Sequence, residues 1–255
     1  MSYTQNKDTC QKQHSAGTFF LNRGVRISLM KNILITGTSS GIGLELLKIY
    51  SKNGFKIISL SRSNLPESES KLIGVKHINF DISKNENIET LIDLIKNEYK
   101  SIDIVINNAG KLINKPFEEL TKDDFYSVFD INVFSVAYLI QKLLPFFNID
   151  SHVVNISSIG GVIGSSKFPG LAAYSASKGA LNILTEVLAE EYKESGPKFN
   201  SLSLGSVNTP MLKKAFPGYE AQVNPNEMAS YIYNFANTGS KLFNGKVIPV
   251  SSSTP

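Results

Sequence analysis

Asn32-Ile33-Leu34-Ile35-Thr36-Gly37-Thr38-Ser39-Ser40-Gly41-Ile42-Gly43 is an apolar, partly β-branched run that breaks into a glycine-rich turn. The run predicts a buried strand. An amphipathic helix follows, with Leu44, Leu47 and Ile49 among its apolar positions, ending near Asn53-Gly54. Glycine lets the backbone turn tightly and come close to a ligand. The start of the helix then offers unpaired N–H groups and partial positive charge to a pyrophosphate. Strand, glycine turn and helix together make a dinucleotide-binding opening; the glycines alone would be only a turn.

The rest of the chain repeats the alternation. Strands are predicted at residues 55–60, 76–80, 102–106, 153–158, 199–204 and 246–250, with helices at 86–99, from Thr121 through Asn132 towards Pro145, and from Tyr174 to about Glu194. Thr121-x-x-Asp124 has the form of a capping box. Residues 211–243 read as partly helical. Such alternation implies an α/β protein, a Rossmann-type doubly wound, mainly parallel seven-stranded sheet with helices on both faces. Residues 30–255 are expected to form one domain. Residues 1–29 are polar and aperiodic and read as a disordered N-terminal extension; a targeting peptide lacks its apolar core there. Met30 offers an alternative start.

The 255 residues suffice for one large core, and 42% hydrophobic with 19% charged residues describes an ordinary globular composition. A formal net charge of +4, with Lys213-Lys214 the one adjacent basic pair, gives no reason to expect nucleic acid. No apolar run approaches the length of a membrane span, so no membrane partner is expected. The single cysteine, Cys10, allows no internal disulfide and fits a cytoplasmic location. His14, His77 and His152 are far apart and predict no metal site.

Several polar residues sit where ligands bind in such sheets. The second strand ends at Ser61-Arg62, where an acid would accept from a ribose 2′-hydroxyl. Arg62 instead offers a planar cationic fork suited to a 2′-phosphate, which favours NADP over NAD; a plain surface arginine is the competing reading. The third strand closes on Asp81, and the fourth runs into Asn107-Asn108-Ala109-Gly110. Asn132 interrupts an apolar helix face of Phe129, Val133, Val136 and Ile140, and must find partners if buried. The fifth strand ends in Ser157-Ser158. Tyr174 and Lys178 lie four apart on one helix face, where an ammonium would lower the phenol pKa. Taken alone, that pair is also consistent with a core aromatic and a solvated lysine.

Together these motifs resemble the short-chain dehydrogenase/reductase family, strongly over residues 30–210. Gly37, Gly41 and Gly43 match the glycine spacing of its short, single-domain classical branch. The resemblance implies an oxidoreductase with the catalytic set Asn132, Ser158, Tyr174 and Lys178. It implies cofactor contacts at Gly37, Ser39, Ser40, Gly41, Ile42, Gly43, Arg62, Asp81, Ile82, Asn108, Ala109, Gly110, Tyr174, Lys178, Gly205, Val207 and Thr209. Tyr174 would exchange a proton with a carbonyl or alcohol oxygen that Ser158 positions. Lys178 would lower the Tyr174 pKa and hold the nicotinamide ribose, and Asn132 would support a water relay. Three departures stand out. The serine lies further before the tyrosine than the family's usual spacing, with Ser165-Ser166-Lys167 reading as a loop insertion; Ser158 is kept and Ser157 is the fallback. Leu204-Gly205 replaces a Pro-Gly pair. The chain ends in Ser251-Ser252-Ser253-Thr254-Pro255 instead of Asp-Gly-Gly.

The expected function is NADP(H)-dependent hydride transfer with a small carbonyl or secondary alcohol substrate, NAD(H) remaining possible. A sugar or nucleotide-sugar reductase is the alternative. A non-catalytic NAD(P)-binding sensor or scaffold is the alternative of another class, disfavoured by the full catalytic set. The resemblance also implies a homodimer or homotetramer built on the two long helices.

Overall fold

The computed structural model describes residues 30–251. The expected disorder of residues 1–29 lies outside them. Seven strands, β1 (Asn32–Thr36), β2 (Lys56–Ser61), β3 (Val75–Asn79), β4 (Ile102–Asn107), β5 (Phe147–Ser158), β6 (Lys198–Leu204) and β7 (Lys246–Val250), form one sheet. Every pairing is parallel, in the order β3-β2-β1-β4-β5-β6-β7. The order reverses between β1 and β4, and ligands bind outside the carboxyl ends of strands at such a switch point.

Strand alternation divides the core in two. Leu34, Ile58, Val105, Val153 and Phe199 face one helical layer, made by α2 (Asn85–Leu94), α4 (Ser135–Leu143) and α5 (Ala172–Glu191). Ile33, Ile35, Ile104, Ile106, Val154, Ile156 and Leu202 face the other, made by α1 (Gly41–Lys52) and α7 (Pro225–Thr238). The doubly wound arrangement is therefore the one the sequence predicts. Burial on both faces explains why the strands read as continuous apolar runs.

Two elements differ from expectation. β5 begins at Phe147, since residues 147–151 extend it by pairing beside Ile102 across an irregularity in register. The helix after the Thr121–Asp124 capping box is not uniform: α3 (Lys122–Phe129) passes through a π-helical turn at Asp130–Phe134 before α4. π-turns inside helices concentrate at functional sites. The whole helical segment Lys122–Phe146 is long and apolar enough to cross a membrane by length and composition, which the sequence reading did not anticipate. Its apolar stripe has another explanation, because Val128, Val136, Leu139, Ile140 and Leu143 are buried in the protein.

Candidate active site

The glycine turn is shaped by contacts that only glycine permits. Gly37 has φ +73°, and a Cβ there would stand 2.8 Å from Ala109 Cα. A Cβ on Gly43 would collide with the Gly37 carbonyl oxygen. The turn is held by its neighbour strands. Thr36 Oγ1 accepts from Asn108 N (3.0 Å) and Ala109 N (2.9 Å), while Asn108 Nδ2 donates to the Thr36 and Gly37 carbonyls, both at 3.0 Å. Asn108 and Ala109, predicted as cofactor contacts, thus fix the turn through these bonds. The role of Thr36 was missed; a hydroxyl closing a buried strand was its only sequence signal.

Ser40 caps α1 without a side-chain hydrogen bond, and no acid lies in the first turn. The N–H groups of Gly41, Ile42 and Gly43 at this helix start have no intrahelical partner, and no acid opposes their partial positive charge. Gly41 packs against Thr209, whose methyl would lie 3.3 Å from a Cβ there. This is a cradle that a dinucleotide pyrophosphate fits.

At the β2 end, Arg62 is exposed and, among the described residues, makes no hydrogen bond or ion pair. Asp81 Oδ1 accepts from Ser83 N (3.1 Å) and Ser83 Oγ (2.8 Å). Burial opposes its charge, but these bonds, with Arg62 and Lys84 nearby, hold its carboxyl below the usual range. Ile82, predicted as a cofactor contact, has its side chain buried in the α2-side core. Val207 likewise packs into the α7-side core and bridges to Val223. Gly205 N donates to Val250 O, and Thr209 Oγ1 accepts from Leu212 N as the cap of α6 (Pro210–Ala215).

Two of the predicted catalytic residues, Asn132 and Lys178, meet beside Gly110, and Lys178 leads on to Tyr174 and its partner Ser158. A Cβ on Gly110 would lie 3.5 Å from Asn132 Oδ1 and 3.7 Å from Lys178 Nζ. Asn132, in the π-turn, is fully buried. Its Oδ1 accepts from Lys111 N (2.8 Å), and its Nδ2 donates to Lys111 O and Ser177 Oγ, each at 2.9 Å. Ser177 Oγ passes this on to the Tyr174 carbonyl at 2.7 Å. Ser177, not singled out from sequence, thus joins the π-turn to the start of α5.

Ser157 and Ser158 separate cleanly. Ser157 is buried and its Oγ donates to the Lys178 carbonyl at 3.2 Å. Ser158 points into the cleft, accepts from Gly160 N at 3.3 Å and hydrogen-bonds the Tyr174 side chain. The inserted Ser165-Ser166-Lys167 folds back on its own loop, with Ser165 Oγ donating to Val162 O (2.9 Å) and Lys167 Nζ to Val162 O (2.7 Å). The longer spacing is absorbed there without moving Ser158 from Tyr174.

Electrostatics correct one expectation. Burial pushes the Tyr174 phenol above its ordinary value, with the Ser158 hydrogen bond acting against it. The neighbouring Lys178 does not outweigh that burial. Its Nζ lies 5.8 Å from the Tyr174 ring centroid and donates to the Ile156 carbonyl at 2.8 Å. Burial brings Lys178 itself down to about 8. A low-polarity pocket disfavours charge on both groups at once.

Three loops near this cluster are tied together. Lys115 N donates to Gly170 O (3.0 Å), and Asn114 Nδ2 to Ala215 O at the end of α6 (2.7 Å).

Comparison with known proteins agrees with this geometry. The family model described as short chain dehydrogenase matches residues 31–220. An oxidoreductase of Staphylococcus saprophyticus is 32% identical over 187 residues, 70% of this chain and 75% of that protein. The structure of 4-hydroxyisoleucine dehydrogenase complexed with NADH superposes with a TM-score of 0.79 at 27% identity, covering 88% of this chain and 98% of the other. ElxO with NADP bound superposes with a TM-score of 0.77 at 25% identity, covering 87% and 97%.

Proposed function

This chain belongs to the short-chain dehydrogenase family, an oxidoreductase using a nicotinamide cofactor on CH–OH or C=O groups, and within that family we propose an NADP-dependent carbonyl reductase with Tyr174 as general acid. The observation that carries the reading is one connected cluster: Asn132 and Lys178 beside Gly110, Lys178 beside the Tyr174 ring, and Ser158 bonded to Tyr174.

The nicotinamide, when bound, supplies hydride to the carbonyl carbon. Gly41, Ile42 and Gly43 would hold the pyrophosphate at the start of α1. Tyr174 would give its proton to the developing alkoxide oxygen, and a phenol kept neutral by burial is poised as that donor. Ser158 would donate to the same oxygen; accepting from Gly160 N leaves its own proton for this use. Lys178 would reach the ribose hydroxyls and restore the Tyr174 proton. Asn132 would keep the Lys111 backbone and Ser177 in register for that transfer. Every step reverses for a secondary alcohol.

Arg62, with no anionic partner of its own beyond the neighbouring field of Asp81, supports the preference for a 2′-phosphate. Exposed Tyr126 and Phe134 on the α3–α4 segment and Ile183 and Val187 on α5 support a homo-oligomer through those helices. The single cysteine supports a cytoplasmic setting.

The test is a fluorescence titration with NADPH and NADH in wild type and Arg62→Ala, followed by NADPH consumption across a carbonyl panel. Wild type should bind NADPH more tightly and Arg62→Ala should lose that preference. Tyr174→Phe should lower turnover by about 10²–10⁴-fold with NADPH binding retained. Equal affinities in wild type would remove the NADP reading, and full activity in Tyr174→Phe would remove the acid.

A further inference from the structure

Ser59 on β2 and His77 on β3 are directly paired across parallel strands. Ser59 is fully buried and its Oγ lies 2.9 Å from His77 Nδ1. On the other side, the same Oγ lies 2.8 Å from Thr38 Oγ1, in the glycine turn. The far nitrogen of the ring, His77 Nε2, lies 3.2 Å from the Ser63 carbonyl. That carbonyl also accepts from Ser61 Oγ at 2.7 Å.

The donors follow from what each group can do. A carbonyl only accepts, so a neutral His77 carries its proton on Nε2. Nδ1 then accepts from Ser59, and Ser59 in turn accepts from Thr38. One directional chain therefore runs from the glycine turn, through two strands, to the segment after β2. Arg62 sits between Ser61 and Ser63, the two residues tied at that end. The Leu60 carbonyl adds a second link, accepting from Gly37 N at 2.7 Å.

We propose that His77 is a positioning residue for cofactor choice: through Ser63 it fixes the turn carrying Arg62, and through Ser59 and Thr38 it locks that turn to the pyrophosphate cradle. The inference rests on the reading of Arg62 as the 2′-phosphate partner. It goes further by assigning the selectivity to a unit of two segments instead of one surface side chain. Arg62 has a long, rotatable stem, and its fork meets a phosphate in good geometry only if its backbone is held. A cofactor with a plain 2′-hydroxyl makes no use of that fork, so it should be indifferent to the loss.

The test uses the full chain and equilibrium binding of NADPH and NADH. His77→Asn keeps a partner for the buried Ser59 but is too short to reach Ser63; His77→Gln reaches the Ser63 carbonyl with its amide. His77→Asn should weaken NADPH binding by about tenfold, the scale of one lost hydrogen bond and its ordering, and change NADH by less than about twofold. His77→Gln should recover most of the NADPH affinity. Equal weakening of both cofactors, or of neither, in His77→Asn would overturn the proposal. Arg62→Ala separates the two ideas. If its preference falls while His77→Asn keeps that of wild type, the positioning role fails alone. If Arg62→Ala changes nothing, the Arg62 reading fails and this inference with it.

Discussion

Strands β4, β5 and β6 show opposite chemistry to the two helices that cover them. Towards α7, their upper halves are apolar: Ile104 and Ile106, Val154 and Ile156, Leu202 and Leu204. Towards α5, the same stretch of sheet carries Asn107, Asn155, Ser157, Ser201 and Ser203, all buried. Asn107 Nδ2 donates to Asn155 Oδ1 (2.8 Å), Asn155 Nδ2 to Thr185 Oγ1 (2.9 Å), and Ser201 Oγ to Asn182 Oδ1 (2.7 Å). Apolar contact is non-directional and tolerates small slips of a helix, whereas hydrogen bonds fix position. The helix that must hold Tyr174 and Lys178 in place is the one bonded in register. The helix with no site residue is held by burial.

The contrast can be broken by substitution on each face. Ile232, fully buried on α7, should lose about 2–5 kcal/mol of stability as Ile232→Ala, measured by urea melts, while the kcat of the folded fraction stays near wild type. An equal fall in kcat would mean that α7 also sets the site.

The α7 face carries a polar pair at its lower end, His152 and Asn200, which sharpens the contrast through pH. His152 Nδ1 lies 2.9 Å from the Ala236 carbonyl and Nε2 3.0 Å from Asn200 Nδ2, so the ring is held neutral. Burial lowers its pKa from 6.5 to about 4. The unfolded chain takes up this proton first, so the contribution is present above about pH 6.5 and lost as pH falls towards 4. Stability should drop on the order of 3 kcal/mol across that window, in melts compared at pH 7 and pH 4. A His152→Asn variant that keeps the same slope would assign it elsewhere.

The smallest expected effect lies on the polar face. Asn155→Leu leaves the Asn107 amide without its acceptor, takes from Thr185 Oγ1 the bond it accepts while its donation to Leu181 O remains, and should cost about 1–3 kcal/mol. Unlike Ile232→Ala, it should also lower kcat several-fold while cofactor affinity stays near wild type, because α5 loses a fixed point. An unchanged kcat would reduce the polar row to packing.

Much of this was legible in the chain itself. The β1–glycine–α1 opening, the alternation and the capping box are local: period, turn chemistry and end signals lie within a dozen residues of one another. Tyr174 and Lys178, four apart on one helix, stood out for the same reason. The polar row did not, although Asn155, Ser201 and Ser203 recur at every second position in two strands and could have been noticed as a face. Its meaning needs the partners Asn182 and Thr185, which are distant along the chain. Ile82 and Val207 show the same limit: their side chains turn into the core, which motif position did not tell.

By itself, then, the sequence determined the alternation of strands and helices and the glycine turn, because each is written in short-range pattern, while the set Asn132, Ser158, Tyr174 and Lys178 came from the resemblance to the family. Tertiary structure alone decided which of two adjacent serines enters the cleft, that burial raises Tyr174 where an adjacent lysine suggested the reverse, and that His77 and Thr38 belong to one chain of hydrogen bonds. Those outcomes depend on which strand lies beside which and on how much water is excluded, and both are properties of the assembled fold.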